Sequence, residues 1–277
     1  MKLQAFVPLV TYTDPNADAI ATNAVAVAAL LGADLNALAV NVDIPSVSNA
    51  LSRFLLDVPG MIRDAEATSR RHGDRLLAAI EEQAKAAGVA TTAERITETP
   101  PLLGATAAIR ARYHDISLVG WEQDNATSRA TAESVIFGSG RPVLLLPESA
   151  EIAAFDHVAV AWDGSRASAR AVADAQPFLA RASRVSVLSV LDEKPLSADE
   201  GDRLAASLRR AGLSAETVPL RGKGMPVAET LQNSALDRGC TLLVMGGYGH
   251  SRVRDFVMGG ATEGVLKALS MPVLLSH

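Results

Sequence analysis

The segment LLVMGGYGHSRVRDFVMGGATEG, residues 242–264, joins an apolar run to a glycine-rich loop and then to a helical pattern. Residues 242–245 are apolar throughout, as expected of a strand buried on both faces of a parallel sheet. Glycines let backbone N–H groups turn toward a ligand, and the start of a helix favours negative charge. The segment therefore predicts an α/β fold with an anion site beyond the carboxyl end of a strand.

The same order of elements occurs twice in the chain, which indicates an internal repeat. Residues 141–147, RPVLLLP, match residues 271–277, MPVLLSH. Each copy follows a short helical segment. Further upstream, an apolar run ends at Gly120 in the first copy and at Gly246 in the second. The repeat predicts two modules of similar length with a boundary in the polar stretch 148–151.

We therefore expect residues 1–148 and residues 154–277 to form two tandem α/β modules. In each, strands alternate with helices, which predicts right-handed βαβ crossovers and an open parallel sheet with helices on both faces. The first module contains a longer excursion over residues 45–87, whose apolar spacing predicts one or two amphipathic helices. The second is predicted to contain a single helix over residues 166–182.

The composition limits the classes of partner. Of 277 residues, 48% are hydrophobic and 21% charged, which is ordinary for a globular protein. The net charge of −5 disfavours nucleic acid and anionic membranes as partners. The single cysteine, Cys240, excludes an intramolecular disulfide and a cysteine-rich zinc site, and we expect it to be a buried apolar residue. No run approaches about 20 apolar residues, so we expect a cytoplasmic protein.

The glycine spacing of the opening segment resembles the phosphate-binding signature of the ATP-binding branch of the universal stress protein family. The matching positions are Gly246, Gly249 after two further residues, and Gly259 after nine more. The family signature continues with Ser or Thr where this chain has Gly260. One lost hydrogen bond costs about 0.5–1.5 kcal/mol, so we expect weaker binding, with the hydroxyl of Thr262 as a candidate replacement.

The resemblance implies the fold and the ligand of the second module. The implied fold is that of the universal stress proteins, which is adenine-nucleotide alpha-hydrolase-like. The implied ligand is ATP, or ADP or AMP in its place, with or without magnesium, and no dedicated metal site is predicted. The implied nucleotide-binding residues are Ala161, Trp162, Asp163, Val190, Gly246, Gly249, His250, Gly259, Gly260, Ala261 and Thr262.

Two of these residues carry roles by the resemblance. Asp163 would lie at the adenine and ribose end of the pocket, and the segment that includes Val190 would read the adenine edge through its backbone. Asp163 also has an alternative interpretation as a turn residue, because Asp before Gly often stabilises its own loop.

The corresponding loop of the first module lacks the signature. Gly120 and Pro142 are 22 positions apart, whereas Gly246 and Pro272 are 26 apart, so the first loop is four residues shorter. Residues 121–128 contain no further glycine and include Glu122 and Asp124, whose charges would oppose phosphate. We therefore expect no ATP in this module, and we expect Trp121 to be a packing residue.

Three functions remain open from the sequence. The first is a nucleotide-binding regulatory or stress-response protein without catalytic residues, in which slow ATP hydrolysis is not excluded. The second is an enzyme using the same cleft, with Asp163 and His250 as the candidate pair. The third is a ligand-free interaction scaffold. By the resemblance, residues 142–144 and 272–274 would pair the two modules within one chain, and a homodimer is a further expectation.

Overall fold

The computed structural model describes residues 2–45, 57–192, 197, 199–247 and 260–277. The chain divides into two compact units, Met1–Ser139 and Gly140–His277. This division assigns the strand Val143–Pro147 to the second unit, because that strand pairs with the strand Val273–Ser276. The division into modules 1–148 and 154–277, which the sequence repeat predicts, stays a prediction.

The first unit alternates strands and helices. Its elements are β1 (Gln4–Val10), α1 (Ala19–Leu31), β2 (Asp34–Val42), α2 (Val58–Ala87), β3 (Thr91–Glu98), a 3-10 turn (Pro100–Leu102), α3 (Leu103–Ala111), β4 (Ile116–Trp121) and α4 (Ala126–Gly138). The sheet has the order β3-β2-β1-β4, and β1 is parallel to both of its neighbours, as β2 is to β3.

Helix α2 accounts for most of the predicted excursion over residues 45–87, and residues 46–56 of that excursion lie outside the described residues. The helix begins after Asp57, whose carboxylate accepts a hydrogen bond from the Gly60 N–H, and it ends at Gly88 in the left-handed conformation. Its buried face packs against β2 and α1. The segment is thus the crossover that parallel strands β2 and β3 require.

The second unit also alternates strands and helices. Its elements are β5 (Val143–Pro147), β6 (His157–Ala161), α5 (Arg166–Asp174), α6 (Gln176–Leu179), β7 (Arg184–Val190), α7 (Glu200–Arg210), β8 (Ala215–Leu220), α8 (Val227–Asp237), β9 (Leu242–Gly246), α9 (Gly260–Lys267) and β10 (Val273–Ser276). The strand order is β5-β10-β9-β6-β7-β8. The described pairs are parallel except that of β5 with β10.

The single helix predicted over residues 166–182 is wrong, because two helices, α5 and α6, occupy that range. The break falls at Ala175, just before Pro177 in the first turn of α6. Proline has no N–H for a hydrogen bond to the preceding turn, and its ring clashes with the carbonyl four residues earlier. Proline in the first turn of the new helix avoids both costs.

The two matching segments of the repeat are neighbours in the sheet of the second unit. Strand β10 runs antiparallel to β5, with Leu274 opposite Leu144 and Val273 opposite Leu145. All four of these side chains are fully buried. The pairing covers β10, which would otherwise leave backbone groups open to another chain.

Strand β9 lies in the middle of this sheet and is buried on both faces, since the exposed fraction of its residues 242–245 is 0–3%. The α/β class and the mostly parallel sheets are those that the sequence predicts. A search of the described helices for a membrane-spanning segment finds none of sufficient length and apolar character.

Candidate functional site

Three neighbouring strands of the second unit bring the predicted site residues to one edge of the sheet. Strand β6 is parallel to β9, with Val160 opposite Val244, and parallel to β7, with Ala161 opposite Leu188. The carboxyl ends of parallel strands meet at the same edge. Residues 161–163, Val190 and Gly246 therefore lie along that edge, where ligands bind in open α/β sheets.

The chain turns sharply after β6. The Trp162 N–H donates to the Leu188 carbonyl at 2.8 Å, which extends the strand pairing by one residue. Asp163 then accepts a hydrogen bond from the Ser165 N–H at its Oδ1, at 3.1 Å, and Gly164 has a φ of 70°. The structure thus gives Asp163 the turn role that the sequence left as an alternative. Its role toward a nucleotide stays a prediction.

The same turn begins helix α5. Ser165 is the N-cap residue, and its hydroxyl accepts a hydrogen bond from the Ser168 N–H at 3.1 Å. Ser165 therefore satisfies one of the amides that a helix start leaves without a partner. The side chains of Asp163 and Ser165 each accept a hydrogen bond from a backbone N–H that follows in the chain. These bonds fix the conformation of the loop, so Trp162 has a defined position at the edge of the sheet.

Trp162 places a buried polar atom at this edge of the sheet. Its side chain is half-buried, and its indole Nε1 is shielded from solvent without a hydrogen-bond acceptor among the described residues. A buried donor without a partner costs about 1–3 kcal/mol, and such groups call for a specific explanation. An acceptor on a bound ligand would supply the missing partner. From the sequence, Trp162 is assigned to the site by resemblance alone, because the sequence does not show which acceptors lie near its indole Nε1–H.

Gly246 has a packing reason to be glycine. A Cβ added there would lie 2.5 Å from the backbone nitrogen of Ser168 and 2.6 Å from the carbonyl carbon of Ala167. The first turn of α5 thus crosses β9 too closely for any side chain. A phosphate-binding role for Gly246 is neither required by this packing nor excluded by it, and that role stays a prediction.

Gly260, the first residue of helix α9, is less closely packed than Gly246. A Cβ added to Gly260 would meet no atom within 4 Å among the described residues. Thr262, the candidate replacement for the missing hydroxyl, is 4% exposed and so lies in the interior. Glu263 adds a carboxylate to the first turn, and Lys267 pairs with it at 2.6 Å. The cation offsets a charge that would otherwise oppose phosphate at this helix start.

The remaining predicted residues, Gly249, His250 and Gly259, lie outside the described residues, as does any arrangement of Asp163 with His250. The predicted set is therefore brought together in part: Ala161, Trp162, Asp163, Val190 and Gly246 line one edge of the sheet, and Gly260, Ala261 and Thr262 form the first turn of α9.

The first unit has a small cavity at the corresponding edge of its sheet. The carboxyl end of β1 and the first turns of α4 enclose a cavity of about 10 Å³, lined by Val10, Thr11, Thr127 and Thr131 among others. That volume suits about one water molecule. Trp121, at the end of β4, is 6% exposed, as expected of a packing residue.

Comparison with known proteins gives two sequence matches. Residues 154–277 match the model of the universal stress protein family. Universal stress protein Slr1230 of Synechocystis sp. is 30% identical over 152 residues, which cover 52% of this chain and 50% of that protein. The chain thus spans about half the length of this relative.

Solved structures resemble the chain over nearly its whole length. A universal stress protein from Archaeoglobus fulgidus has a TM-score of 0.65 at 16% identity, covering 99% of this chain and 97% of that chain. A protein of unknown function from Pseudomonas aeruginosa has a TM-score of 0.53 at 15% identity, covering 99% and 92%. At these identities the likeness shows the fold alone.

Proposed function

The chain belongs to the universal stress protein family through residues 154–277, and on that premise we propose that its second unit binds ATP, or ADP or AMP in its place, in a regulatory or stress-response role. The observation that carries the proposal is the buried Trp162 Nε1 without an acceptor among the described residues, at the edge where β6, β7 and β9 end. Adenine and ribose both offer acceptors for such a donor.

The residues present fit the two ends of a nucleotide. At one end, Trp162, Asp163 and Val190 offer an aromatic surface, a carboxylate for ribose hydroxyls and backbone groups for the adenine edge. At the other, the first turn of α9 offers backbone N–H groups, and the start of a helix favours phosphate charge. The nucleotide would supply the negative charge and the purine that these two ends recognise.

The proposed role is binding and not turnover. Efficient phosphoryl transfer needs positioned charges and an oriented nucleophile, and the hydrogen bonds of Asp163 and Ser165 serve the turn itself. The proposal therefore predicts phosphate release far slower than dissociation of the nucleotide.

The first experiment is mass spectrometry of nucleotide released by heat from the freshly purified protein, followed by calorimetric titration with ATP, with and without magnesium. We expect about one nucleotide per chain, since the proposal assigns one working site to a chain of two units. No released nucleotide and no heat of binding would reject the proposal, and the ligand-free scaffold would replace it.

The second experiment tests the observation itself with Trp162→Phe. The change keeps an aromatic ring and removes the N–H, so folding stability should be unchanged or slightly higher. Nucleotide affinity should fall by roughly 3- to 10-fold, the value of about one hydrogen bond. Trp121→Phe in the first unit is the matched control and should leave affinity unchanged. Equal nucleotide affinities for both variants and the wild type would show that the Trp162 N–H does not bind the nucleotide.

A further inference from the structure

A buried carboxylate lies directly after β4 in the first unit. Glu122 is 9% exposed, and its two oxygens accept four hydrogen bonds. The Asn16 side-chain amide donates to both oxygens, at 3.0 and 3.1 Å, and the Ala17 N–H donates to Oε1 at 2.9 Å. The Ser128 hydroxyl donates to Oε2. Neutral donors on three sides thus surround a negative charge that is nearly out of reach of water.

The donors around Glu122 are themselves held in place. Asn16 is 1% exposed, and its carbonyl oxygen accepts from the Val10 N–H at 2.7 Å, while its own N–H donates to the Val10 carbonyl at 3.0 Å. Ser128 is fully buried, and its N–H donates to the Asn125 side chain at 3.0 Å. The cradle is thus built by the surrounding fold and does not depend on Glu122 to orient it.

Gly120 shows how closely the cradle is packed. A Cβ added at Gly120 would lie 2.9 Å from the Asn16 amide nitrogen and 3.4 Å from the Glu122 Oε1. By the sequence repeat Gly120 corresponds to Gly246, so Glu122 bridges the two loops whose counterparts in the second unit carry the proposed nucleotide residues. In the first unit a carboxylate of the chain itself joins those loops.

We propose that Asn16, Ala17 and Ser128 of the first unit form a carboxylate-binding site that the chain fills with its own Glu122. The site recognises a single carboxylate through neutral donors: one side-chain amide, one backbone N–H and one hydroxyl. Removal of the Glu122 side chain opens this site to a small external carboxylate such as formate or acetate. The proposal stands on the first unit alone and is independent of nucleotide binding in the second.

The test is chemical rescue of Glu122→Ala. Removal of the carboxylate leaves the Ala17 N–H and the Ser128 hydroxyl without this acceptor, and it leaves the Asn16 amide with only the Ser128 Oγ at 3.4 Å, so the melting temperature should fall by roughly 5–10 °C. Sodium formate or acetate should raise it again in a saturable manner, with about tenfold gain in the folding equilibrium constant at ten times the dissociation constant. Sodium chloride at equal ionic strength should not.

Two controls separate a specific site from a general salt effect. Glu81→Ala removes an exposed carboxylate of α2 and should leave both stability and the response to formate as in the wild type. Formate that stabilises wild type, Glu81→Ala and Glu122→Ala equally would overturn the proposal. So would a Glu122→Ala protein as stable as the wild type, or one that folds but does not respond to formate or acetate.

If Glu122→Ala does not fold, Ser128→Ala decides the question, because it removes one donor and leaves the carboxylate. We expect a smaller fall in melting temperature and faster amide hydrogen exchange in peptides covering residues 12–20, where Asn16 and Ala17 contact Glu122. An unchanged melting temperature together with unchanged exchange in that segment would overturn the proposal, because Ser128 would then contribute nothing to binding the carboxylate.

Discussion

Gly246 and Ser168 approach so closely that a Cβ on Gly246 would lie 2.5 Å from the Ser168 backbone nitrogen. The end of β9 therefore packs closely against the first turn of α5, although the two elements are distant in sequence. The glycine that opens the predicted phosphate signature is therefore also a packing residue. A substitution there changes the fold and the proposed site together.

We predict that Gly246→Ala lowers the free energy of unfolding of the protein by about 1–3 kcal/mol, because the added methyl group must displace backbone. Urea denaturation followed by circular dichroism measures the change. Gly260→Ala is the control, because its Cβ meets no atom of the described residues within 4 Å, and we expect it to be neutral or stabilising by up to about 1 kcal/mol. Equal stabilities for the two variants would contradict the close approach of α5 to β9.

Gly260→Ser should tighten nucleotide binding without loss of stability. The serine restores the hydroxyl that the family signature has at this position, and it enters space in which no described atom lies within 4 Å. One added hydrogen bond to phosphate predicts a decrease in the dissociation constant of roughly 3- to 10-fold. Calorimetric titration measures it, with Gly260→Ala as the control without a hydroxyl. Equal affinities for the serine and alanine variants would show that the backbone N–H groups already suffice.

The parallel sheets could be predicted because buried parallel strands appear in the sequence as continuous apolar runs. Residues 242–245 show this directly: they are all apolar, and all are at most 3% exposed in the structure. Residues 5–10 of β1 follow the same rule, whereas β2 has Asp34, Asn36 and Asn41 among its apolar residues. Cys240 is buried as expected, and burial raises the pKa of its thiol to about 11.

The polar contacts could not be predicted, because their partners are far apart in sequence. Glu122 finds Asn16 across 106 positions, and no local pattern indicates that pairing. From the sequence, the charge of Glu122 is expected to oppose phosphate, whereas in the structure this carboxylate accepts hydrogen bonds from Asn16, Ala17 and Ser128. The indole Nε1–H of Trp162, which has no acceptor among the described residues, likewise depends on neighbouring strands and not on the residues around it in sequence.

His157 lies at the start of β6 in a second buried polar network. Its exposed fraction is 8%, its Nε2 is 2.8 Å from the Ser186 hydroxyl, and its Nδ1 is 3.1 Å from the Arg238 carbonyl oxygen. The Ser186 hydroxyl donates its one proton to Glu216 Oε1 at 2.9 Å. Burial, and then the charge of Arg184, lower the pKa of His157, while the carbonyl of Arg238 and the charge of Glu216 act in the opposite direction. His157 therefore takes up a proton at a lower pH in the folded chain than in the unfolded chain.

We predict that the protein loses stability as the pH falls below about 6.5, the usual pKa of an unfolded histidine. The unfolded chain takes up a proton at His157 before the folded chain does, so acidification stabilises the unfolded state. The contribution is complete above this pH and is lost toward the lower pKa of the folded state, with a slope of at most about 1.4 kcal/mol per pH unit for one group. Urea denaturation between pH 7.5 and 5 measures it.

His157→Gln should flatten this profile between pH 6.5 and 5, even if it lowers stability at pH 7.5 through its altered contacts. His114 also has a lowered pKa, mainly through burial, so His114→Gln should remove a separate part of the same slope. The carboxylates with lowered pKa, Glu216 among them, act at a lower pH, because their usual pKa is near 4. A His157→Gln profile as steep as that of the wild type would mean that the His157 pKa is the same in the folded and unfolded chains.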